Sequence, residues 1–511
     1  MRTILQTACL LLVPVLFETT MLAESPRVFQ VSIGPEARVG TARGRLIVFL
    51  IAEQSKVSKR AAPVDGPFWD DPQPLFAMDV SLDANNAVEL DDSADCFPIP
   101  PSKLPPGRYR AQARLDLARS NSSWRREPGN LWSEEVTVDV TDSKERQVIQ
   151  LSLTKVVEPR SRKQVDGVEW FEIRSSLLSQ FRGVDVMLRA GVVLPQEISP
   201  AQKYAAIYDV PGFGGDHTGA TGSRRRPNET GDAATLAKST FRIVLDPEGP
   251  NGHSLFADSA NNGPCGQALT QELIPALEAK YPLLAIPTAR ILRGHSSGGW
   301  STLWLATRYP EVFGAAWSSA PDPVDFRRFQ KVNIYSQPNF YVDGSGAEVP
   351  SLHKGDVVEM TIRQESRGED ILGPDNTSAQ QWDSWFAAFG PKNASGNPAA
   401  LFDPVTGQID SKIAEHYKQY DIGELLRSNP KLLLPIFRNR IRLVVGTEDS
   451  FYLNEAVALL DAELKELGRG LNDRGYVKMI PGDHGTIFSN QAVQAFPREM
   501  LEHLRSARHI P

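Results

Sequence analysis

A serine flanked by glycines, where an apolar strand meets a helix, is the clearest chemical feature of this sequence. The segment GHSSG, residues 294–298, follows the apolar run 289–292 and precedes a helical pattern over 300–308. Glycines in such a strand–turn–helix remove Cβ atoms that would clash, and the turn projects the serine hydroxyl above the sheet edge. The pattern therefore predicts that Ser296 is a nucleophile. A glycine-rich turn without catalysis is the alternative interpretation.

The order of the chain selects a base for this serine, because its hydroxyl is a weak nucleophile until a base takes the proton. Folds that use this turn place an acid and then a histidine after the serine. Of the eight histidines, His484, His503 and His509 come late enough. His484 lies in a glycine-flanked loop after the last predicted strand, whereas the other two are expected in solvent. His484 is the predicted base, with His503 as the reserve.

The acid is expected at the end of the strand that precedes His484. The segment VVGTED, residues 444–449, offers two carboxylates. The Gly-x-x-Asp spacing carries Asp449 back over the sheet edge, where it accepts a hydrogen bond from the histidine ring and fixes its tautomer. Glu448 is the alternative acid, and Asp483 is expected to serve loop structure.

Two backbone N–H groups are predicted to stabilise the oxyanion. One is that of Ser297, directly after the nucleophile. The second is expected from the loop PGFGG, residues 211–215, with Phe213 as the first choice and Gly214 as the second. Each donor of this kind contributes about 3 kcal/mol. A phosphate-binding loop is the alternative, but the Rossmann glycine pattern and a Walker lysine are missing. No cofactor and no metal are expected.

The elements around these motifs indicate an α/β layer fold with a doubly wound, mostly parallel sheet, from about residue 161 to the C-terminus. Apolar strands are predicted at 205–210, 241–245, 289–292, 315–318, 442–445 and 476–480. Helices are predicted at 268–280, 300–308, 454–467 and 497–505. Pro275 predicts a kink in the first of these helices.

The segment 321–439, called the cap segment below, interrupts this alternation. A loop of this length inside a compact domain has structure of its own, so we expect it to cover the carboxyl ends of the strands. Trp382, Trp385 and Phe386 lie within it. These aromatics are expected to form its core, and stacking on a sugar or phenolic ring is the alternative.

The N-terminal part of the chain has a different pattern. Residues 24–160 contain short alternating segments at 45–51, 109–115, 136–140 and 148–153, separated by turn residues. This pattern predicts an all-β domain, an immunoglobulin-like sandwich.

The first 23 residues are typical of a signal peptide, with a positive charge at Arg2 and an apolar stretch over 8–17. We therefore expect export to the periplasm or the extracellular space; a buried N-terminal helix is the alternative.

No later apolar run has the length of a transmembrane helix, so no stable membrane anchor is expected. The net charge of −7 argues against nucleic-acid binding. Whether Cys96 and Cys265 pair is left open, as is the oligomeric state.

With these motifs the chain resembles the esterase family of α/β-hydrolases that includes esterase D, enterochelin esterases and feruloyl esterases. The resemblance runs from about residue 168 to 505 and is strongest at PGFGG (211–215), QALTQELIPALEAKYP (267–282), GHSSGGW (294–300) and RYPEVFGAA (308–316). It implies the α/β-hydrolase fold, and it places the family's nucleophile, acid and base on Ser296, Asp449 and His484. The cap segment is larger than in compact members, so the resemblance does not extend to substrate specificity.

These observations favour an exported serine hydrolase that cleaves a small or polysaccharide-linked carboxylic ester through an acyl-enzyme. An acyltransferase would use the same residues, so only competition between water and another acceptor separates the two. A non-catalytic carbohydrate-binding protein on a hydrolase scaffold is the alternative from another class. It would not need the complete set of Ser296, Asp449 and His484.

Overall fold

The computed structural model describes residues 27–510 except 38–39, 69–70, 118–126, 144, 160–163, 197, 200, 223–229 and 471–472. The predicted signal peptide therefore lies outside the described residues. Within these limits no helix has both the length and the apolar character needed to cross a membrane.

The N-terminal part of the described chain is all-β, and its strands belong to one sheet. They are β1 (Arg27–Ile33), β2 (Ala42–Ala52), β3 (Leu75–Leu82), β4 (Ala87–Leu90), β5 (Asp95–Phe97), β6 (Gly107–Asp116), β7 (Leu131–Ser133), β8 (Val136–Val140) and β9 (Gln147–Val156). The order is β4-β1-β9-β7-β6-β2-β3-β5, with β8 also paired to β6. Only β1 and β9 pair in parallel among these strands. All four predicted strands fall within β2, β6, β8 and β9, while the immunoglobulin-like assignment stays a prediction.

The remaining strands begin at residue 168. They are β10 (Val168–Ser175), β11 (Val186–Val193), β12 (Ala205–Val210), β13 (Thr240–Leu245), β14 (Glu248–Gly249), β15 (Gly252–His253), β16 (Asp258–Ser259), β17 (Gly263–Pro264), β18 (Arg290–His295), β19 (Ala315–Ser319), β20 (Pro350–Lys354), β21 (Val357–Thr361), β22 (Ile441–Gly446) and β23 (Tyr476–Ile480). Eight of them form the second sheet, in the order β10-β11-β13-β12-β18-β19-β22-β23. The first two pairings are antiparallel and the other five are parallel. This is the α/β-hydrolase fold.

Helices cover the second sheet and fill the cap segment. They are α1 (Ser176–Arg182), α2 (Gly231–Ser239), α3 (Cys265–Ala268), α4 (Ile274–Lys280), α5 (Ser297–Arg308), α6 (Ile362–Leu372), α7 (Gln381–Phe389), α8 (Ser411–Tyr417), α9 (Ile422–Ser428), α10 (Pro430–Asn439), α11 (Leu453–Glu466), α12 (Gln491–Gln494) and α13 (Phe496–Ser506). A π-helical turn, Leu269–Leu273, interrupts the helix predicted over 268–280, between α3 and α4, and Pro275 follows it directly after Ile274. The kink itself stays a prediction. A proline lacks the N–H of a regular helix, and the wider turn accommodates that loss.

The cap segment contains helices α6 to α10 and the hairpin β20–β21. Its aromatic side chains pack on one another. The centroid of the Trp382 ring lies 5.4 Å from that of Phe340 and 5.3 Å from that of Phe402. Trp382 and Phe386 are buried. They form core, as expected from the sequence.

Helix α6 of the cap segment is also docked on the first sheet. Ile371 and Leu372, at its end, belong to a buried cluster with the β2 side chains Ile47 and Phe49. Arg45, whose side chain is 2% exposed, donates from Nε and Nη2 to the Ile371 carbonyl oxygen, both at 3.0 Å. A cation on the last carbonyls of a helix also meets the negative end of its dipole. Docking therefore fixes α6 relative to β2.

We predict that Arg45→Met lowers the free energy of unfolding by about 1–3 kcal/mol, because the buried Ile371 carbonyl loses its donor and the ion pairs of Arg45 with Asp95 and Asp79 are removed. Urea denaturation measures the change. Arg108 is the matched control: its side chain is 54% exposed and its ion pair with Asp139 is solvated. Arg108→Met should change stability by roughly 0.5 kcal/mol or less, and equal effects of the two variants would contradict the docking role.

Candidate active site

Ser296 lies between β18 and α5 with a backbone that few non-glycine residues adopt. Its φ is 58° and its ψ is −128°. Two backbone hydrogen bonds fix this conformation, one at the N–H and one at the carbonyl of Ser296. Ser296 N–H donates to Ser319 O at 3.0 Å, and Trp300 N–H donates to Ser296 O at 3.0 Å. Strain of this kind persists only where the surroundings over-determine it, which is common at functional sites.

Glycines are required on both sides of the serine by close backbone contacts. A Cβ on Gly298 would lie 2.0 Å from the Val210 carbonyl oxygen, and one on Gly294 would lie 2.2 Å from the Gly298 carbonyl oxygen. Both distances are impossible for a methyl group, so the turn can only form with glycine at these positions. The start of α5 therefore lies directly against the end of β12.

His484 and Asp449 are joined by a hydrogen bond of 2.8 Å between Nδ1 and Oδ2. Asp449 is fully buried, and its Oδ1 accepts the backbone N–H groups of Phe451 and Leu453 at 3.0 and 3.3 Å. These bonds hold the carboxylate in one orientation, and the carboxylate directs a protonated Nδ1 toward itself. The alternative acid, Glu448, is exposed.

The His484 ring also packs against two neighbouring rings, those of His295 and Phe451. Its ring centroid lies 4.5 Å from that of His295 and 5.0 Å from that of Phe451. Burial, together with the charge of His484, lowers the pKa of His295 to about 3. His295 is therefore neutral at physiological pH and does not repel a protonated His484.

Ser296 and His484 line the same cavity, which has a volume of about 350 Å³. No hydrogen bond joins the Ser296 hydroxyl to His484 in the part of the chain that the structure describes. Bonds of this type are often long without substrate and tighten in the complex. The structure thus joins His484 to Asp449 and places His484 and Ser296 on the same cavity.

The loop 211–215 lies against Ser296. A Cβ on Gly212 would be 3.3 Å from Ser296 Cβ, and Phe213 lines the cavity. His253 holds this loop: its Nδ1 accepts from Leu255 N–H at 3.1 Å, which leaves Nε2 to donate to Pro211 O at 2.9 Å. Burial lowers the pKa of His253 to about 4, so the neutral tautomer persists. His253 follows β13 in the chain and was not among the site residues predicted from the sequence.

A second hydrogen-bonded contact next to Ser296 joins Ser297 to Asp322. Ser297 occupies the first position of α5, where its N–H has no partner within the helix. Its hydroxyl donates to Asp322 Oδ2 at 2.7 Å, and Trp385 Nε1 donates to the same oxygen at 2.8 Å. Burial raises the pKa of Asp322 to about 6. No sequence motif marked this aspartate.

The expectation that His503 and His509 lie in solvent needs correction. Both contact Thr288: His503 Nε2 bonds its carbonyl oxygen at 3.0 Å and His509 Nε2 its hydroxyl at 2.8 Å. Arg293, directly before Gly294, donates to Asp209 on the adjacent strand β12 at 2.8 Å. In each case the polar side chain finds an acceptor on a neighbouring element.

Glu365 and Glu369 of α6 line the same cavity as Ser296, a position that the sequence did not reveal. Trp382 Nε1 donates to Glu365 Oε2 at 3.0 Å, and Trp382 N–H donates to Glu369 Oε2 at 3.0 Å. Burial raises the pKa of Glu365 to about 7. Burial, and then the charges of Asp383 and Glu365, raise the pKa of Glu369 well above its usual value.

We predict that the double variant Glu365→Gln/Glu369→Gln gains stability relative to the wild type as the pH rises. Both carboxyls have folded pKa values above the unfolded value of 4.5, so their favourable contribution is complete below pH 4.5 and is lost as the pH rises through the folded pKa values. The difference should change by up to about 1.4 kcal/mol per pH unit for each group. Urea denaturation across that range measures it, and a difference independent of pH would contradict the raised pKa values.

Comparison with known families identifies the C-terminal part of the chain. A model of the family described as "Putative esterase" matches residues 186–486, more than half of the chain. No curated protein matches the sequence.

Several solved structures are similar to the chain at low identity. An S-formylglutathione hydrolase from Agrobacterium tumefaciens is 14% identical, with 68% of this chain and 98% of that chain covered and a TM-score of 0.39. One from Staphylococcus aureus is 14% identical, with 65% and 99% covered and a TM-score of 0.35. A ferulic acid esterase from Anaeromyces mucronatus is 14% identical, with 66% and 93% covered and a TM-score of 0.30. Because these scores are low, no substrate is inferred from them.

Proposed function

The chain belongs to this esterase family, and from that premise we propose that it hydrolyses carboxylic esters through an acyl-enzyme on Ser296. The observation that carries the proposal is that His484, hydrogen-bonded to the buried Asp449, lines the same cavity as a serine in a strained turn. In the first step Ser296 Oγ attacks the ester carbonyl carbon, and His484 takes the hydroxyl proton and passes it to the leaving alcohol. In the second step His484 activates water, which releases the acid and restores the serine.

The proposed role of Asp449 is to hold the His484 ring in one tautomer and to stabilise it when it is protonated. The proposed oxyanion donors are the N–H groups of Ser297 and Phe213. Their support is the position of both residues beside Ser296, the first at the start of a helix and the second on a loop that His253 anchors. A helix N-terminus favours the negative charge that develops there.

We predict that Ser296→Ala abolishes labelling by a fluorophosphonate probe and lowers ester turnover by about six orders of magnitude, as the loss of a nucleophile does. Thermal unfolding should change little, because the flanking glycines form the turn. Ser301→Ala is the control, since Ser301 is buried in the same helix and its hydroxyl bonds only the Ser297 carbonyl. Labelling of a folded Ser296→Ala variant would reject the assignment.

We predict that Asp449→Asn lowers kcat by about four orders of magnitude, because an amide at this position favours the wrong tautomer of His484. Steady-state kinetics on a short-chain aryl ester measures the loss. Glu448→Gln serves as the matched variant: it removes the neighbouring exposed carboxylate and should keep kcat within about threefold. The reverse ranking of the two variants would move the acid to Glu448.

We also propose that the chain is exported and that its mature part consists of an immunoglobulin-like domain (24–160) and an esterase domain (161–511) with a cap insertion (321–439). Export is supported by the N-terminal sequence, and the division by the separate hydrophobic clusters of the two sheets. N-terminal sequencing of protein from the periplasm or the medium should find a start after residue 23. An intact Met1 on active protein in the cytoplasm would reject export.

A further inference from the structure

The turn that carries Asp449 is tightly constrained at its backbone. It runs from Asp449 to Leu453, the first residue of α11. Asp449 Oδ1 accepts the N–H groups of Phe451 and Leu453, and the Asp449 carbonyl oxygen accepts the Tyr452 N–H at 2.9 Å. Tyr452 has a φ of 60°, a left-handed conformation that is uncommon for a bulky residue. A strained turn of this kind persists only where the surrounding structure holds it.

The cap segment contacts this turn through His353 of β20. His353 Nε2 lies 2.9 Å from the Asp449 carbonyl oxygen, and the His353 backbone N–H donates to the Ser450 carbonyl oxygen at 2.9 Å. The imidazole ring stacks on the Tyr452 ring, with 4.4 Å between the centroids and 28° between the planes. One residue of the cap segment therefore contacts three residues of the turn, and the first of them is the hydrogen-bond partner of His484.

The His353 nitrogen beside Asp449 acts as a hydrogen-bond donor. Each ring nitrogen lies near a carbonyl oxygen, which can only accept, since Nδ1 is 2.8 Å from the Gly355 carbonyl. A neutral imidazole has a single N–H to donate. Gly355 is exposed, so water can bond its carbonyl in place of the ring, whereas Asp449 is fully buried and depends on protein donors. Donation from Nε2 to Asp449 is therefore the favoured arrangement.

We propose that His353 is a positioning residue, which holds the backbone of Asp449 so that its carboxylate stays aligned with the His484 ring. The carbonyl and the carboxylate belong to the same residue, so a backbone shift at Asp449 also displaces Oδ2 from His484 Nδ1, 2.8 Å away. A displacement of about 1 Å in such a site costs up to about a hundredfold in rate. For catalysis this inference rests on the proposed function, whereas for the geometry of the Asp449–His484 pair it stands alone.

Two amide substitutions separate this role from a packing role. A glutamine places its side-chain N–H near the position of His353 Nε2, whereas an asparagine is one methylene shorter and does not reach Asp449. His353→Asn should lower kcat by about ten- to a hundredfold and leave KM within about twofold, while His353→Gln should keep kcat within about threefold of the wild type. Steady-state kinetics on a short-chain aryl ester measures both constants, and thermal unfolding confirms that each variant is folded.

His416→Asn is the matched control, because His416 lies on α8 of the same cap segment and its Nε2 contacts the Gln419 side chain. Its kcat should equal that of the wild type. An unchanged kcat in folded His353→Asn would overturn the proposal. Equal losses in His353→Asn and His353→Gln would overturn it too, because the lost ring packing on Tyr452 would then be the cause.

Proton NMR reports the bond between Asp449 and His484 without a substrate. Hydrogen bonds to a carboxylate are short, and the His484 Nδ1–H proton in such a bond resonates far downfield. The wild type, His353→Gln and Ser296→Ala should share this resonance, and His353→Asn should shift or broaden it. An unchanged resonance and kcat in His353→Asn, with ester cleavage intact, would reject the inference and leave the esterase. A resonance altered only in His353→Asn, with no ester cleaved by the wild type, would do the reverse.

Discussion

The site depends on one steric constraint, the contact between the start of α5 and the end of β12. Gly298 lies so close to the Val210 carbonyl that no side chain fits between them. The loop that follows β12 consequently begins beside this contact and lies against Ser296. Ser296, the Ser297 N–H and Phe213 therefore lie around a single junction. His484 and Asp449, the proposed base and acid, follow the ends of neighbouring strands of the same sheet.

The electrostatics around this junction keep the histidines neutral. Burial lowers the pKa values of His253 and His295, so both serve as neutral hydrogen-bonding or packing groups. A charged neighbour would disfavour a protonated His484, and neutral ones avoid that penalty. The positive charge that develops on the base during the proposed reaction is then balanced mainly by Asp449.

Local pattern and chain order were sufficient to find the residues that lie near strand ends. Ser296 sits in a turn whose glycines are adjacent in sequence, and His484 and Asp449 follow from the order of the strands. Glu365 and Glu369 could not be found in this way, because two glutamates four residues apart are typical of a solvated helix face. Nor could the contact of Arg45 with Ile371, since 326 residues separate them and no periodicity records such a pairing. Asp322 was missed because only the fold places it behind Ser297.

The C-terminal end of helix α6 accepts hydrogen bonds from Arg45 of the first sheet. Glu369, which lies in the last turn of the same helix, lines the cavity. One helix therefore joins the first sheet to the lining of the cavity, because the end of α6 that accepts the Arg45 hydrogen bonds also carries Glu369. If the docking of α6 and the occupancy of the cavity affect each other, thermodynamic linkage makes the two effects equal in free energy.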